Sequence, residues 1–345
     1  MVCRGEDRET MVTITELARL CGVSRSTVSA VLNGKPGVRE KTRQKVLECI
    51  REHNYERGLV AKSLVSELSR MIGVFVPDVG RRFYKEIIYG INAVLETHDY
   101  HMLYHGAGHQ NGTHQEQLSA IKTYRPAGSI IVKGDHARSA EDIQDILETG
   151  APLVTVERIE GAETHAVCYD NRRAARLAPD YVFGMGHRRV TYLAGSASWG
   201  ASKERKLGFM ESLVEHELDF DGAMTVETLG SAEGGYEAAL SVLSDPETRP
   251  TALVCFNDLT AMGAYRAAYE LGLRIPDDLS VIGFDGIDFC KMLGPPLTTV
   301  SIFPEKLGRA AAELLLEVIQ RGNRGGLLTR EIEPKLIERQ SVIKV

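Results

Sequence analysis

The chain has a single tryptophan, six cysteines and 12 prolines in 345 residues. The cysteines, at 3, 21, 49, 168, 255 and 290, stand far apart and form no C-x-x-C pair. That spacing indicates neither a zinc module nor a disulfide framework and leaves reduced, mostly buried thiols as the reading. No apolar run reaches the ~18 residues of a membrane span. Met1 to Thr10 is charged and lacks the apolar centre of a secretory signal, so a cytoplasmic location is expected. There is no G-x-S-x-G, no P-loop and no G-x-G-x-x-G after a strand. The nearest Gly-rich text, Gly184-Met-Gly-His-Arg188, precedes a strand rather than following one. What is present is an ordinary globular composition, 43% hydrophobic and 26% charged, at a length that suggests about two domains.

The charge is uneven. Residues 1–70 hold 13 Lys and Arg against 9 Asp and Glu, whereas the remaining 275 hold 28 against 38. A basic head on an acidic body points to a polyanion-binding module joined to a part with another task.

Within the head, Thr13-Ile-Thr-Glu16 has the form of a capping box. Ile14, Leu17, Ala18 and Cys21 follow at helical spacing, and Gly22 stands where a helix end takes a left-handed residue. Ser24 can cap a second helix through about Leu32. Ala18 lets the two helices approach, Gly22 makes the turn, and Val28 packs the second helix back. This is a helix-turn-helix pattern. On the second helix Val28, Val31 and Leu32 share one side; Arg25, Ser26, Ser29, Ala30 and Asn33 share the other. That outer face suits a major-groove reader, or else the solvated face of a small bundle. A third helix is expected from about Arg39 to His53, with Val46, Leu47 and Ile50 closing the core.

Val12-Thr-Ile-Thr-Glu-Leu-Ala18, Gly22-Val-Ser24, Thr27-Val-Ser29 and Val31-Leu-Asn33 closely resemble the head of the lactose-repressor (LacI/GalR) family. Val38, Thr42-Arg43, Val46 and Tyr55 extend the match. The resemblance implies a homodimeric transcription factor, most often a repressor. It would bind a near-palindromic double-stranded operator, be switched by a small-molecule effector, and need no cofactor. By position, Arg25, Ser26 and Ala30 take the family's base-reading places. Thr13, Ser24, Thr27, Ser29 and Asn33 take its phosphate-contact places. Hydroxyls and amides can donate to phosphate, and Arg can pair with guanine. Ala30 stands where the family usually has Arg, so a base contact is lost there or replaced by packing on a thymine methyl. The expected division is 11–58 for the DNA-binding head, 59–70 for a hinge helix or linker, and 71–345 for the body. Val60, Ala61 and Leu64 match the hinge pattern, with Leu64 as the wedge that kinks the minor groove. Arg57 and Gly58 depart from it, and a plain linker remains open.

From Met71 short apolar runs alternate with amphipathic stretches. The runs are Ile72–Val76, Met102–Tyr104, Ser129–Val132, Leu153–Val156, Val190–Ala194, Ala252–Phe256 and Val281–Phe284. Helices are expected near 84–97, 114–124, 141–148, 172–185, 204–217, 234–243, 259–271 and 305–321. Such alternation predicts parallel α/β sheets, and about 270 residues suggests two lobes with a cleft. The resemblance makes the expected fold an all-α helix-turn-helix head joined by a hinge to a two-lobe periplasmic-binding-protein-like body, with crossovers near 168, 298 and 328. Asp170-Asn171 and Gly186-His187 read as caps.

Ligand contacts are expected at the carboxyl ends of the strands. The candidates are Phe83, Tyr84, Glu157, Trp199, Arg205, Asn257 and Asp285. Aromatics for sugar CH faces and charged groups for hydroxyls suit a sugar-like effector. Arg81-Arg82 adds positive charge at the mouth, which would also admit a phosphorylated or acidic one. Arg205 and Asp285 could instead form an internal lobe-to-lobe ion pair, and Trp199 could be loop packing. Gly230 stands where the family has a larger contact. His101, His105 and His109 have i, i+4 spacing, but a strand and a Gly-rich loop divide them, so no metal is expected. Competing classes are an effector-independent regulator, a sugar-processing enzyme, and an exported solute-binding protein, which would need a signal and no head. Val345 follows soon after the last expected strand and leaves no coiled-coil tail, so a dimer is favoured over a tetramer.

Overall fold

The computed structural model describes residues 12–32, 36–53, 55, 69–106, 114–134, 140–219, 224–322 and 325–345. Asn33, Arg57, Gly58, Leu64 and His109 lie outside these residues. The chain divides into two compact units, 1–68 and 69–345.

In the head, α1 spans Ile14–Cys21, α2 Arg25–Leu32 and α3 Glu40–Glu52. The capping box forms: the Glu16 amide donates to Thr13 Oγ1 at 3.2 Å, and the Thr13 amide donates to Glu16 Oε2 at 2.9 Å. These bonds hold the Glu16 carboxyl below its ordinary range. Gly22 ends α1 at φ 61°, where any side chain would be strained. Ser24 Oγ then accepts the Thr27 amide at 3.1 Å and starts α2. Leu17, Ala18, Cys21, Val28, Val31, Val46 and Cys49 form the core. Leu47, expected inside, is 42% exposed. The inward stripe of α3 is Val46, Cys49 and Ile50, at i, i+3, i+4, and Leu47 lies one step of about 100° around from it.

The body is two parallel-rich sheets. Its strands are β1 Met71–Val76, β2 His101–Gly106, β3 Gly128–Val132, β4 Leu153–Val156, β5 His165–Cys168, β6 Val190–Ala194, β7 Thr225–Glu227, β8 Ala252–Cys255, β9 Ser280–Asp285, β10 Thr298–Ser301, β11 Thr329–Glu331 and β12 Lys335–Ile337. Its helices are α4 Arg82–Thr97, α5 His114–Tyr124, α6 Ala140–Leu147, α7 Asn171–Gly184, α8 Gly200–Glu215, α9 Ala232–Leu243, α10 Asp258–Glu270 and α11 Pro304–Arg321. The first sheet runs β11-β5-β4-β3-β1-β2, all parallel. The second runs β12-β10-β9-β8-β6-β7, parallel except for the β10/β12 pair. The chain therefore crosses between lobes after β5, after β10 and after β11, within a few residues of the expected 168, 298 and 328.

Ile72, Val74, Val76, Ile130, Val132 and Val154 are fully buried, as strands covered on both faces require. Asp170 caps α7 by accepting the Arg173 amide at 2.9 Å. Gly186, at φ 99°, closes the turn after α7. One expected boundary is wrong: α8 begins at Gly200, not near 204, and Trp199 is its cap residue rather than part of a loose loop.

Candidate DNA interface and ligand cleft

On the head, Thr13, Ser24, Arg25 and Ser26 are exposed, while Thr27, Ser29 and Ala30 are half-buried. Arg25 and Ser26 open α2 and Ser29 and Ala30 lie a turn later, opposite the buried Val28 and Val31. Ser24 Oγ is 2.7 Å from Ser26 Oγ and 2.8 Å from Thr27 Oγ1, so these hydroxyls form one cluster at the α2 start. The start of α2 also carries the positive end of the helix dipole, an arrangement suited to phosphate. Thr13 Oγ1 is already engaged with Glu16, donating to its carboxylate at 2.9 Å.

In the body a cavity of about 510 Å³ lies between the lobes. Its walls are strand carboxyl ends: Phe83 and Tyr84 after β1, Lys133 after β3, Glu157 after β4, Tyr169 after β5, Phe256 and Asn257 after β8, and Asp285 closing β9. Six of the seven candidates line this one cavity. Trp199 does not: it is 8% exposed and packs on Phe256, ring centroids 5.8 Å apart. Gly230, at φ 64°, makes room for it; a Cβ there would stand 2.9 Å from the indole. The indole thus fills the space that Gly230 leaves open.

Arg205, on α8, is the most connected group. Its Nη1 donates to the Phe256 carbonyl at 2.6 Å and its Nε to Asn171 Oδ1 at 3.3 Å. Its Nη2 reaches Asp285 Oδ1 at 3.4 Å and the Tyr169 hydroxyl at 3.5 Å. The guanidinium also lies 3.7 Å from the Phe284 ring centroid. Burial opposes its charge, but Tyr169 and Asp285 more than offset that. The Arg205–Asp285 ion pair forms, yet both partners belong to the second lobe, so it is not a lobe-to-lobe bridge.

Glu157 and Asp285 end equivalent inner strands of the two sheets. Both have left-handed backbones, φ 70° and 110°, which side chains rarely adopt. Strained carboxylates facing one cavity from either lobe are hydroxyl acceptors in place for a polar ligand. Asn257 caps α10, accepting the Thr260 amide at 2.8 Å, and donates to the Gly230 carbonyl at 2.8 Å. Behind the wall, buried Asp258 accepts from Thr299 Oγ1 at 2.6 Å and the Ile287 amide at 2.8 Å. Burial pushes its carboxyl up to about 6. It anchors the turn that presents Asp285.

Sequence reasoning missed Tyr169, Phe256 and Lys133. Tyr169 sits between Cys168 and the Asp170 cap, and Lys133 and Phe256 each follow a buried strand. Position after a strand end was the available signal, and it was applied to other residues. Among the described residues no group of three or more His, Cys, Asp or Glu side chains could hold a metal.

A helix-turn-helix head followed by a two-lobe α/β body with a polar cleft defines a ligand-responsive class of DNA-binding regulator. The family model for bacterial regulatory proteins of the lacI family matches residues 13–57, and that for a periplasmic binding protein-like domain matches residues 180–342. The HTH-type transcriptional repressor PurR of Vibrio cholerae is 32% identical over 96% of this chain and 98% of its own. Among solved structures, a lac repressor dimer bound to operator and an anti-inducer shares 25% identity, with a TM-score of 0.81, over 97% of this chain and 100% of that one. A regulator of the same family from Enterococcus faecium with bound ribose shares 25% identity, with a TM-score of 0.70, over 80% of this chain and 99% of that one. The chain belongs to the lacI family of bacterial regulatory proteins. It is a DNA-binding transcriptional regulator and not an enzyme. Among the described residues no helix is long and apolar enough to cross a membrane.

Proposed function

We propose that this regulator is a cytoplasmic, homodimeric repressor whose operator affinity is set by a sugar-like effector held between the body lobes. The observation that carries the reading is the cavity in which Glu157 and Asp285 approach from opposite lobes, with Arg205 beside Asp285 and the Phe83, Tyr84 and Phe256 rings around them. A ring compound with several hydroxyls satisfies both carboxylates and lays its CH faces on the aromatics. A relative solved with ribose, and another solved as an operator-bound dimer, support the same assignment.

In this reading Arg25, Ser26 and Ala30 face base edges. Ser24, Thr27, Ser29 and Asn33 contact phosphate, Thr13 adds a contact from the start of α1, and Leu64 wedges the minor groove. The division into head 11–58, hinge 59–70 and body 71–345 belongs to the same proposal. Selection of genomic fragments by the purified chain tests the DNA half: a two-fold symmetric consensus is expected. Calorimetry with a panel of sugars and sugar phosphates tests the other half, with binding expected in the native chain and lost in Asp285→Ala. If no panel member binds, the effector assignment falls and an effector-independent regulator takes its place.

A further inference from the structure

Tyr169 is a residue the DNA-binding activity does not call for, and it is buried at the wall of the cavity. It follows β5 on the first crossover between lobes. Its hydroxyl donates to Glu157 Oε1 at 3.0 Å. The same oxygen accepts from Arg205 Nη2 at 3.5 Å. Glu157 belongs to the first lobe and Arg205 to the second. Burial, with the Glu157 charge beside it, keeps the phenol protonated far above its ordinary range. It therefore remains both donor and acceptor at any physiological pH. The carboxylate accepts the hydroxyl's hydrogen bond, which leaves the oxygen lone pairs for the guanidinium.

We propose that Tyr169 is a lobe-positioning residue, its hydroxyl relaying a hydrogen bond from Glu157 of one lobe to Arg205 of the other and so holding the two lobes in this arrangement. This rests on the cleft reading above for its regulatory meaning, but not for its geometry. The cleft rim carries its own reporter. Arg81, which precedes α4 in the first lobe, lies 5.8 Å from the ring centroid of Trp199, which precedes α8 in the second. Lobe opening lifts Arg81 away and exposes the one indole in the chain.

The test uses the full-length protein with no ligand and reads acrylamide quenching of Trp199 emission. A hydrogen bond to charged partners corresponds to about a tenfold change in the open-to-closed ratio. Tyr169→Phe is expected to raise the quenching constant roughly twofold or more. Glu157→Gln keeps a carbonyl acceptor but loses the charge and is expected to fall between the native chain and Glu157→Ala, which is expected to resemble Tyr169→Phe. Tyr192→Phe is the control, since it removes another buried hydroxyl, one with no hydrogen-bond partner, from the core of the second lobe. Unchanged quenching in a folded Tyr169→Phe, or an equal rise in Tyr192→Phe, overturns the proposal. Because no ligand is present, either result leaves the effector assignment to be judged by Asp285→Ala alone.

Discussion

Replacing Arg205 with alanine probes the cleft at its most connected point. The change removes donations to the Phe256 carbonyl, Asn171, Asp285 and Tyr169, and the cation–ring contacts with Phe256 and Phe284. It also leaves Asp285, 9% exposed, without its cation. Breaking a buried pair by deleting one partner costs about 3–5 kcal/mol, mostly as the desolvation of the charge left behind. At roughly 2–3 °C per kcal/mol for a body of this size, the melting midpoint should fall by about 6–15 °C. Calorimetric or circular-dichroism melts of the native chain and the variant read this directly. Pairing Arg205→Met with Asp285→Leu removes both charges and should recover part of the loss, because the orphaned carboxylate is gone. A single variant melting within about 2 °C of the native chain would refute the reasoning, since it would mean the network is not formed.

Arg25→Ala should relax base preference at one position of each half-site by about 1–3 kcal/mol, read from a mutated-operator panel. Native operator affinity should fall roughly 10³–10⁵-fold between about 50 and 200 mM salt. His187 sits buried between Thr251 Oγ1 at 2.9 Å and the Ile343 carbonyl at 3.0 Å, and burial lowers its pKa. The unfolded chain therefore binds a proton the folded one refuses, and stability should decline as pH falls below about 6.5; His187→Gln should flatten that slope in melts taken from about pH 7 to 5. Gly230→Ala forces a side chain at φ 64° against Trp199 and should cost about 1–2 kcal/mol while shifting the indole emission.

The head was almost wholly legible because its signals are local: a capping box, a left-handed glycine and one apolar stripe per helix. Leu47 misled because it adjoins the true stripe of Val46, Cys49 and Ile50 on α3, and hydrophobicity alone does not separate it from that stripe. In the body, the long buried strands were visible as apolar runs. β5, β7, β10, β11 and β12 were not named among them, since each is three or four residues long and opens on a polar residue, Thr, His or Lys. A strand so short depends on its neighbours in the sheet, which are distant in sequence. The cleft was legible where residues follow strands, as at Glu157 and Asp285. Tyr169 escaped because its partners lie 12 and 36 residues away along the chain. Trp199 was placed in a loop because the cap position of α8 is the tryptophan itself, which makes no side-chain cap bond, and its packing on Phe256 and Gly230 is a tertiary matter.

The central claim is that occupation of the body cleft changes what the head does on DNA. The direct measurement is operator affinity, on a fragment selected by the protein itself, with and without each cleft-binding member of a sugar and sugar-phosphate panel. The account predicts that at least one compound alters operator affinity by about 5–150-fold, that operator alters the affinity for that compound by the same factor, and that Asp285→Ala abolishes both. A compound that calorimetry places in the native cleft but not in Asp285→Ala, and that leaves operator affinity unchanged, would contradict it.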